Sequence, residues 1–161
     1  MRRSLGAVRD AETDVDRVLA ANGEENVRAL QRAVRDVMTA RAGVVRHEAG
    51  LRAGLDGLDE VAERATRVGV HTDIGGFQDL AHAFDLRSAL ISARATIACA
   101  LERRETRGSH QRSDYPHLDP DLQVNLVWSP ADGVRREPVP PIPTDIASLM
   151  HDVPTEGKLL E

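Results

Sequence analysis

A mainly α-helical chain is what the sequence predicts: three helices packed as a bundle, followed by a short C-terminal β-hairpin appendage. Three observations carry this reading. All eight prolines lie between Pro116 and Pro154, so the first 115 residues lack the residue that removes a donor and clashes in a helix interior. Apolar residues recur at three- and four-residue spacing through that proline-free part. Beyond residue 108 the spacing changes to alternation around Asp132-Gly133, a strong hairpin signal.

Residues 1–22 read as a charged lead-in with a short helix over Asp10–Ala21, which Gly23 ends. Residues 23–108 are the bundle. Its first helix starts at Glu24 and places Val27, Leu30, Val34, Val37 and Met38 on one face, until Gly43 interrupts it. The second runs from Arg46 to Val68 with a stripe of Leu51, Leu55, Leu58, Ala62, Ala65 and Val68. Gly50, Gly54 and Gly57 each weaken it by ~1 kcal/mol relative to alanine. Gly54 and Gly57 either admit a neighbouring helix at close range or are simply tolerated; the sequence leaves both open. Turn residues over Gly69–Gly76 connect to the longest helix, Phe77–Glu105. That helix carries two stripes, Phe77, Leu80, Phe84, Ile91, Ala95 and Ala98, and Leu86, Leu90, Ala93, Ile97 and Leu101. A helix apolar on most sides belongs at the centre of its bundle. It ends at Gly108, placed to take a left-handed cap conformation.

Residues 109–143 are the appendage: a loop over 109–121, a strand over Gln123–Ser129, a turn over Pro130–Gly133 and a strand over Val134–Val139. Val124, Leu126 and Trp128 alternate as a half-buried strand requires. Residues 144–161 read as a weakly ordered tail.

Composition excludes several classes. No apolar run approaches the ~20 residues needed to span a bilayer. The basic start, Met1-Arg2-Arg3, is not followed by a signal-peptide core. Cys99 is the only cysteine, which excludes an intrachain disulfide and a thiolate metal cluster and fits a reducing cytoplasm. A net charge of −5 argues against general nucleic-acid affinity. With four aromatics (Phe77, Phe84, Tyr115 and Trp128), the core is built from Leu, Val, Ile and Ala.

Motifs for chemistry are sparse. There is no G-x-G-x-x-G, no phosphate-binding G-x-x-x-x-G-K-[ST] and no G-x-S-x-G. Among His47, His71, His82, His110, His117 and His151 no pair falls at i, i+4, so no metal site is expected. Cys99 reads as an inert packed thiol with no cation one turn away. One segment, Arg103 to Pro116, is dense in functional residue types, with four arginines, a histidine, an aspartate and a tyrosine. It admits two readings. One is a capping loop whose arginines pair with Asp114, Asp119 and Asp121. The other is a docking or anion-binding surface formed by Arg107, His110, Arg112, Asp114 and Tyr115. Composition favours the first, because exposed arginine–carboxylate clusters are common and individually weak.

The same segment carries a family resemblance. Arg107-Gly108-Ser109-His110-Gln111-Arg112-Ser113-Asp114-Tyr115-Pro116 resembles the R-G-x-H-x-R-x-D-[YF]-P motif in the C-terminal helical domain of succinate dehydrogenase/fumarate reductase flavoproteins. L-aspartate oxidase carries a related form. Glu25-Asn26-Val27-Arg28-Ala29-Leu30-Gln31 with Asp36-Val37-Met38 resembles that domain's first helix. Gly43-Val44-Val45-Arg46 with Glu48, Gly50 and Leu51 resembles its glycine-valine-arginine turn. Leu126-Val127-Trp128 and Arg135-Arg136-Glu137-Pro138-Val139 resemble its terminal strands. The likeness covers residues 24–140. Departures are Thr39, Ser88, Ser109 and Ser113, which stand where the family favours Trp, Asn, Ala and Glu.

The resemblance implies a spectrin-repeat-like three-helix bundle with its β appendage. It also implies a setting, in which such a domain follows an FAD-binding domain and a mobile capping domain. FAD and the catalytic residues are then expected in that missing or partner flavin domain, in cis or as a separate subunit. No catalytic, cofactor or metal residue is expected in this chain, and Arg107–Tyr115 would help it dock. The R-G-x-H-x-R form leans toward the succinate/fumarate branch. The implied location is cytoplasmic, without direct membrane insertion, and peripheral to the inner face of the membrane through partner subunits. The alternative is a free-standing helical interaction module that would hide apolar area by self-association as a homo-oligomer. An independent enzyme using His110 and Arg112 is a third reading with little support.

Overall fold

The computed structural model describes residues 2–76 and 78–147. Phe77, His151, Pro154 and the expected tail beyond residue 147 lie outside the described residues. The elements run α1 (Arg2–Leu19), β1 (Glu25–Asn26), α2 (Val27–Arg41), β2 (Val45–Arg46), α3 (Glu48–Ala65), β3 (Val68–Gly69) and α4 (Asp79–Glu102). They continue with β4 (Gln111–Arg112), a 3-10 turn (Pro120–Leu122), β5 (Val124–Ser129), β6 (Gly133–Pro138) and the single turn α5 (Thr144–Ala147).

Helices α2, α3 and α4 pack on one another as a three-helix bundle. The core follows the expected stripes, with Val27, Leu30 and Val34 from α2, Leu51 and Leu58 from α3, and Leu86, Leu90, Ala93 and Ile97 from α4 buried. Val61, outside the expected α3 stripe, is buried with them, while Leu55, Ala62 and Ala65 are only partly buried. Each buried valine, leucine or isoleucine among them contributes roughly 1.5–3 kcal/mol by leaving water. Gly54 has a packing role. A Cβ there would stand 2.9 Å from Ile97 Cδ1 and 3.1 Å from Arg41 Cβ, so a larger residue would need Ile97 to shift and Arg41 to give a little.

Four expectations change. The lead-in helix is longer than Asp10–Ala21, since α1 begins at Arg2. It is tied to the bundle by half-buried Val18 and by Arg87, whose Nη1 lies 2.7 Å from Asp14 Oδ2. Second, α3 stops at Ala65, and Val68 reaches the core from β3 instead of from the helix. There β3 pairs in parallel with β1. A Cβ on Gly23 would fall 1.8 Å from Arg67 O and one on Gly69 2.4 Å from Gly23 O, so only glycine permits this crossing. Third, α4 is central, touching α1, α2, α3 and the hairpin, yet it is sealed only along Leu86, Leu90, Ala93 and Ile97 of its second stripe. Ile91 of the first stripe is 44% exposed. Fourth, α4 ends at Glu102, not Gly108, because the chain from Arg103 runs extended.

Strands β5 and β6 form the expected antiparallel hairpin, with Val124 opposite Pro138 and Ser129 opposite Gly133. Gly133 takes φ +71° at the turn, a conformation that favours glycine. Pro138 sits at the end of its strand, where a missing N–H is tolerated. The hairpin lies along α4 and is fastened by Arg136 to Glu102 at 2.7 Å.

Candidate functional site

The arginine-rich segment folds into a knot where four pieces of chain meet. After α4 the chain leaves the helix extended at Arg103 and bends at Glu105, and Arg103 and Arg107 both turn onto the Glu105 carboxylate. Arg107 and His110 then exchange backbone bonds of 2.9 and 3.0 Å around Gly108, at φ +56°. The left-handed glycine is therefore in a tight turn, not a helix cap. Beyond it, β4 pairs in parallel with β2.

Glu105 is the first of two buried charges. It is 0% exposed. Its carboxylate accepts from Arg103 Nη1 (2.6 Å), Arg107 Nε (2.9 Å), Arg107 Nη2 (3.2 Å) and the backbone N–H of Asp119 (2.9 Å). Burial alone would push its pKa up. The bonds from Arg107, Asp119 N–H and Arg103 outweigh that and hold it below the usual value. Arg103 also donates to Leu122 O (3.0 Å) and Val124 O (2.8 Å), which fastens the start of the hairpin.

Arg112 is the second. It is 1% exposed. Its Nε and Nη2 hold Asp114 in a two-point pair at 2.7 and 2.8 Å. Its Nη1 donates to Ala100 O at 2.7 Å, satisfying a carbonyl that the end of α4 leaves open. The guanidinium carbon stands 4.9 Å from the centre of the Tyr115 ring, within cation–π range. Asp114 Oδ2 accepts the N–H of Glu48 at 2.8 Å, the first residue of α3, whose adjacent His47 makes no side-chain cap. One ion pair thus caps the C-terminus of α4 with its cation and the N-terminus of α3 with its anion. Both placements match the helix dipoles. The Arg112 guanidinium holds the Asp114 carboxyl well below the usual carboxylate range, against a smaller opposing effect of burial.

His110 completes the knot. Its Nε2 lies 3.1 Å from Arg103 O and its Nδ1 2.8 Å from Arg46 Nη1. A carbonyl only accepts and a guanidinium only donates, so the ring is neutral with its proton on Nε2. Burial depresses its pKa, the bond to Arg103 O opposes this, and Arg46, Arg112 and Arg103 depress it further.

The structure brings Arg107, His110, Arg112, Asp114 and Tyr115 together around one loop, with Arg112 inside it. Within the capping-loop reading, Arg112 does pair with Asp114. Asp119 plays another part, donating its N–H to Glu105 while its carboxylate accepts Asp121 N–H at 2.9 Å. The anchor that sequence reasoning missed is Glu105. Its signal was the Arg-x-Glu-x-Arg spacing, which keeps two cations within side-chain reach of one anion. Cys99 also differs from expectation in one respect. Arg103 stands one turn on and lowers its pKa, but burial outweighs it and the thiol is pushed up. Among the described residues no three His, Cys, Asp or Glu side chains gather as metal ligands.

Comparison with known proteins agrees with this architecture. A family model described as fumarate reductase flavoprotein C-term matches residues 31–139. An L-aspartate oxidase of Rhodospirillum rubrum is 34% identical over 119 residues, covering 74% of this chain and 36% of its own. An uncharacterized FAD-dependent oxidoreductase of Methanocaldococcus jannaschii is 32% identical over 122 residues, covering 73% of this chain and 22% of its own. The Mycobacterium smegmatis Sdh1 structure in complex with UQ1 superposes with a TM-score of 0.75 at 27% identity, over 91% of this chain and 26% of that one. The chain therefore spans between about a fifth and a little over a third of the length of these relatives. Over residues 31–139 the chain matches the C-terminal region of succinate dehydrogenase/fumarate reductase-type flavoproteins, the family to which it belongs.

Proposed function

We propose that this chain braces an FAD-dependent oxidoreductase of the succinate dehydrogenase/fumarate reductase type, contributes no flavin site of its own, and docks on an FAD-binding and capping domain, in cis or as a separate subunit. The observation that carries this is the direction of the knot's bonds. Glu105 and Arg112, the most chemically capable groups of the motif, are sealed and satisfied within the chain. A group so engaged stiffens a scaffold and has no free face for a substrate. The residues do not fit a flavin cradle either. Among the described residues the long strands form an antiparallel hairpin and the parallel ladders are two residues each. A dinucleotide site needs a glycine-rich turn between a parallel strand and a helix. In the family, FAD supplies the redox chemistry when bound. This chain's residues supply rigidity: Arg112–Asp114 locks α4 to α3, and Arg103–Glu105–Arg107 locks α4 to the hairpin. Arg107, His110, Arg112, Asp114 and Tyr115 then hold the docking loop in one shape, with Ser109 exposed at its tip.

The whole enzyme's substrate, in this reading, is a dicarboxylate of the succinate/fumarate kind, and its location is cytoplasmic and peripheral to the membrane through partner subunits. In support, no helix among the described residues is long and apolar enough to cross a membrane. The purified chain is expected to show no stoichiometric flavin absorbance, and to bind a separately prepared FAD domain of this family. Ser109→Trp at the loop tip should weaken that binding without altering the fold. A stoichiometric flavin band, or binding indifferent to Ser109→Trp, overturns the corresponding part.

Helix α1 favours a second reading, self-association, because Leu5 and Val8 are more than half exposed on it. Sedimentation equilibrium decides. A concentration-dependent dimer supports it and a monomer at high concentration removes it.

A further inference from the structure

Beside the knot, α4, the β2 turn and β5 enclose a cleft of about 360 Å³, lined by Arg46, Thr96, Cys99, Arg103, His110 and Asn125. Its volume lies at the lower end of the ~300–1,000 Å³ typical of small-molecule sites. The two cations in it are not equivalent. The charge of Arg103 is met by Glu105, and its N–H groups by Leu122 O and Val124 O. Arg46 has no carboxylate within 4.0 Å among the described residues. Its bonds go to two neutral acceptors, Gly43 O at 2.5 Å and His110 Nδ1 at 2.8 Å. A guanidinium carries five N–H donors, so three of them are left without a protein partner.

Arg46 is half-buried, and a desolvated cation without a counter-ion is costly. No neighbour supplies one. His110 is neutral and already accepts from Arg46. The knot carboxylates Glu105 and Asp114 are held by Arg103, Arg107 and Arg112. Asn125 adds an amide to the same cleft without adding charge. A planar guanidinium fork with free donors matches a planar carboxylate at two points.

We infer that this cleft binds a small carboxylate anion, paired to the Arg46 guanidinium and held beside the Asn125 amide.

The chain carries its own reporter. Cys99 is its single cysteine and lines the same cleft, so an occupant shields the thiol. The test is the rate of Cys99 alkylation by an uncharged maleimide in the full chain, with acetate titrated against chloride at constant ionic strength. Alkylation should slow saturably, by about tenfold once acetate stands at roughly nine times its Kd. Equal rates in acetate and chloride overturn the proposal. Protection by inorganic phosphate but not by acetate overturns the carboxylate assignment. Arg46→Gln, with an unchanged far-ultraviolet circular dichroism spectrum, should weaken the protection by about 10- to 100-fold in apparent Kd. Undiminished protection removes Arg46 from the site. Should Arg46→Gln fail to fold, Asn125→Ala on the exposed face of the hairpin serves, and it should weaken protection severalfold.

Discussion

Leu58 in the bundle and Arg112 in the loop are both sealed from solvent, and they stand for two kinds of interior. Around Leu58 the neighbours are aliphatic, attraction is non-directional, and what matters is filled volume. Around Arg112 each guanidinium nitrogen is aimed at a particular oxygen: two on Asp114, one on the end of α4. The first interior reads size, the second reads geometry. Truncation does not separate them well. Arg112→Ala leaves Asp114 and Ala100 O without their partner and should cost ~3–5 kcal/mol. Leu58→Ala should cost a similar ~2–5 kcal/mol. Conservative exchange does separate them. Leu58→Met should cost less than ~1.5 kcal/mol. Arg112→Lys keeps the charge but loses the fork, and should still cost more than ~2 kcal/mol, since bonds to charged groups are worth ~1.5–3 kcal/mol each. Urea unfolding of the four variants checks this, and an Arg112→Lys protein as stable as Leu58→Met would break the distinction.

The polar interior should also respond to pH where the apolar one does not. Glu105 and Asp114 both have pKa values lowered in the folded state, from ordinary values of 4.5 and 3.8. A group depressed in this way stabilises the fold above its unfolded pKa and loses that contribution as pH falls through the folded value. Their contribution to stability should therefore be level above about pH 5 and decline below the ordinary carboxylate range. Glu105→Gln leaves Arg103 and Arg107 facing an uncharged amide. It should cost ~2–3 kcal/mol near neutrality, and the decline in acid should become shallower. Urea midpoints at a series of pH values measure both, and an unchanged acid profile would show that Glu105 is not held ionised.

His110 gives a smaller effect at a higher pH. Its folded pKa is below the ordinary 6.5, so the neutral ring stabilises the fold above that value and the contribution is lost as pH falls through the folded pKa. Protonation would place a hydrogen on Nδ1, against Arg46. Glutamine can donate to Arg103 O and accept from Arg46 without titrating. His110→Gln should keep most of the stability at pH 8 and remove the slope just below pH 6.5. A slope that persists would locate the titration elsewhere.

How far each interior was legible in the sequence follows from the same contrast. Val27, Leu30, Val34, Leu51, Leu58, Leu86 and Ile97 announce themselves by three- and four-residue spacing, because a helix converts sequence distance directly into a shared face. The hairpin was legible through Asp132-Gly133 and alternation. The knot was legible as a dense motif, but not in its partners. Arg112 and Asp114 are two residues apart, while the helix ends they cap lie at Ala100 and Glu48, and β4 finds β2 across 66 positions. Two-residue ladders leave no periodic trace, and Glu105 was hidden because a glutamate reads as surface until its flanking arginines are seen to turn onto it. Asp79, buried near Arg28, gave no signal for a similar reason.

The smallest predicted effect tests this last point, since the bundle holds both a local and a remote helix cap. The side chain of Asn26 accepts the N–H groups of Arg28 and Ala29 at 3.0 and 3.1 Å, at the start of α2. Asp114 does the corresponding work for α3 from the far loop. Removing the local cap with Asn26→Ala should cost ~1 kcal/mol, and Asn26→Ser a few tenths at most. The two caps should differ in coupling. Asn26 shares no partner with Arg112, so Asn26→Ala and Arg112→Ala should add within ~0.3–0.5 kcal/mol. Asp114→Ala and Arg112→Ala remove two ends of one pair and should be non-additive by ~1–3 kcal/mol. Double-mutant cycles on urea unfolding measure both numbers. Strong coupling of Asn26 to Arg112 would mean that bundle and knot are one cooperative interior, because only a shared network carries energy between groups that do not touch.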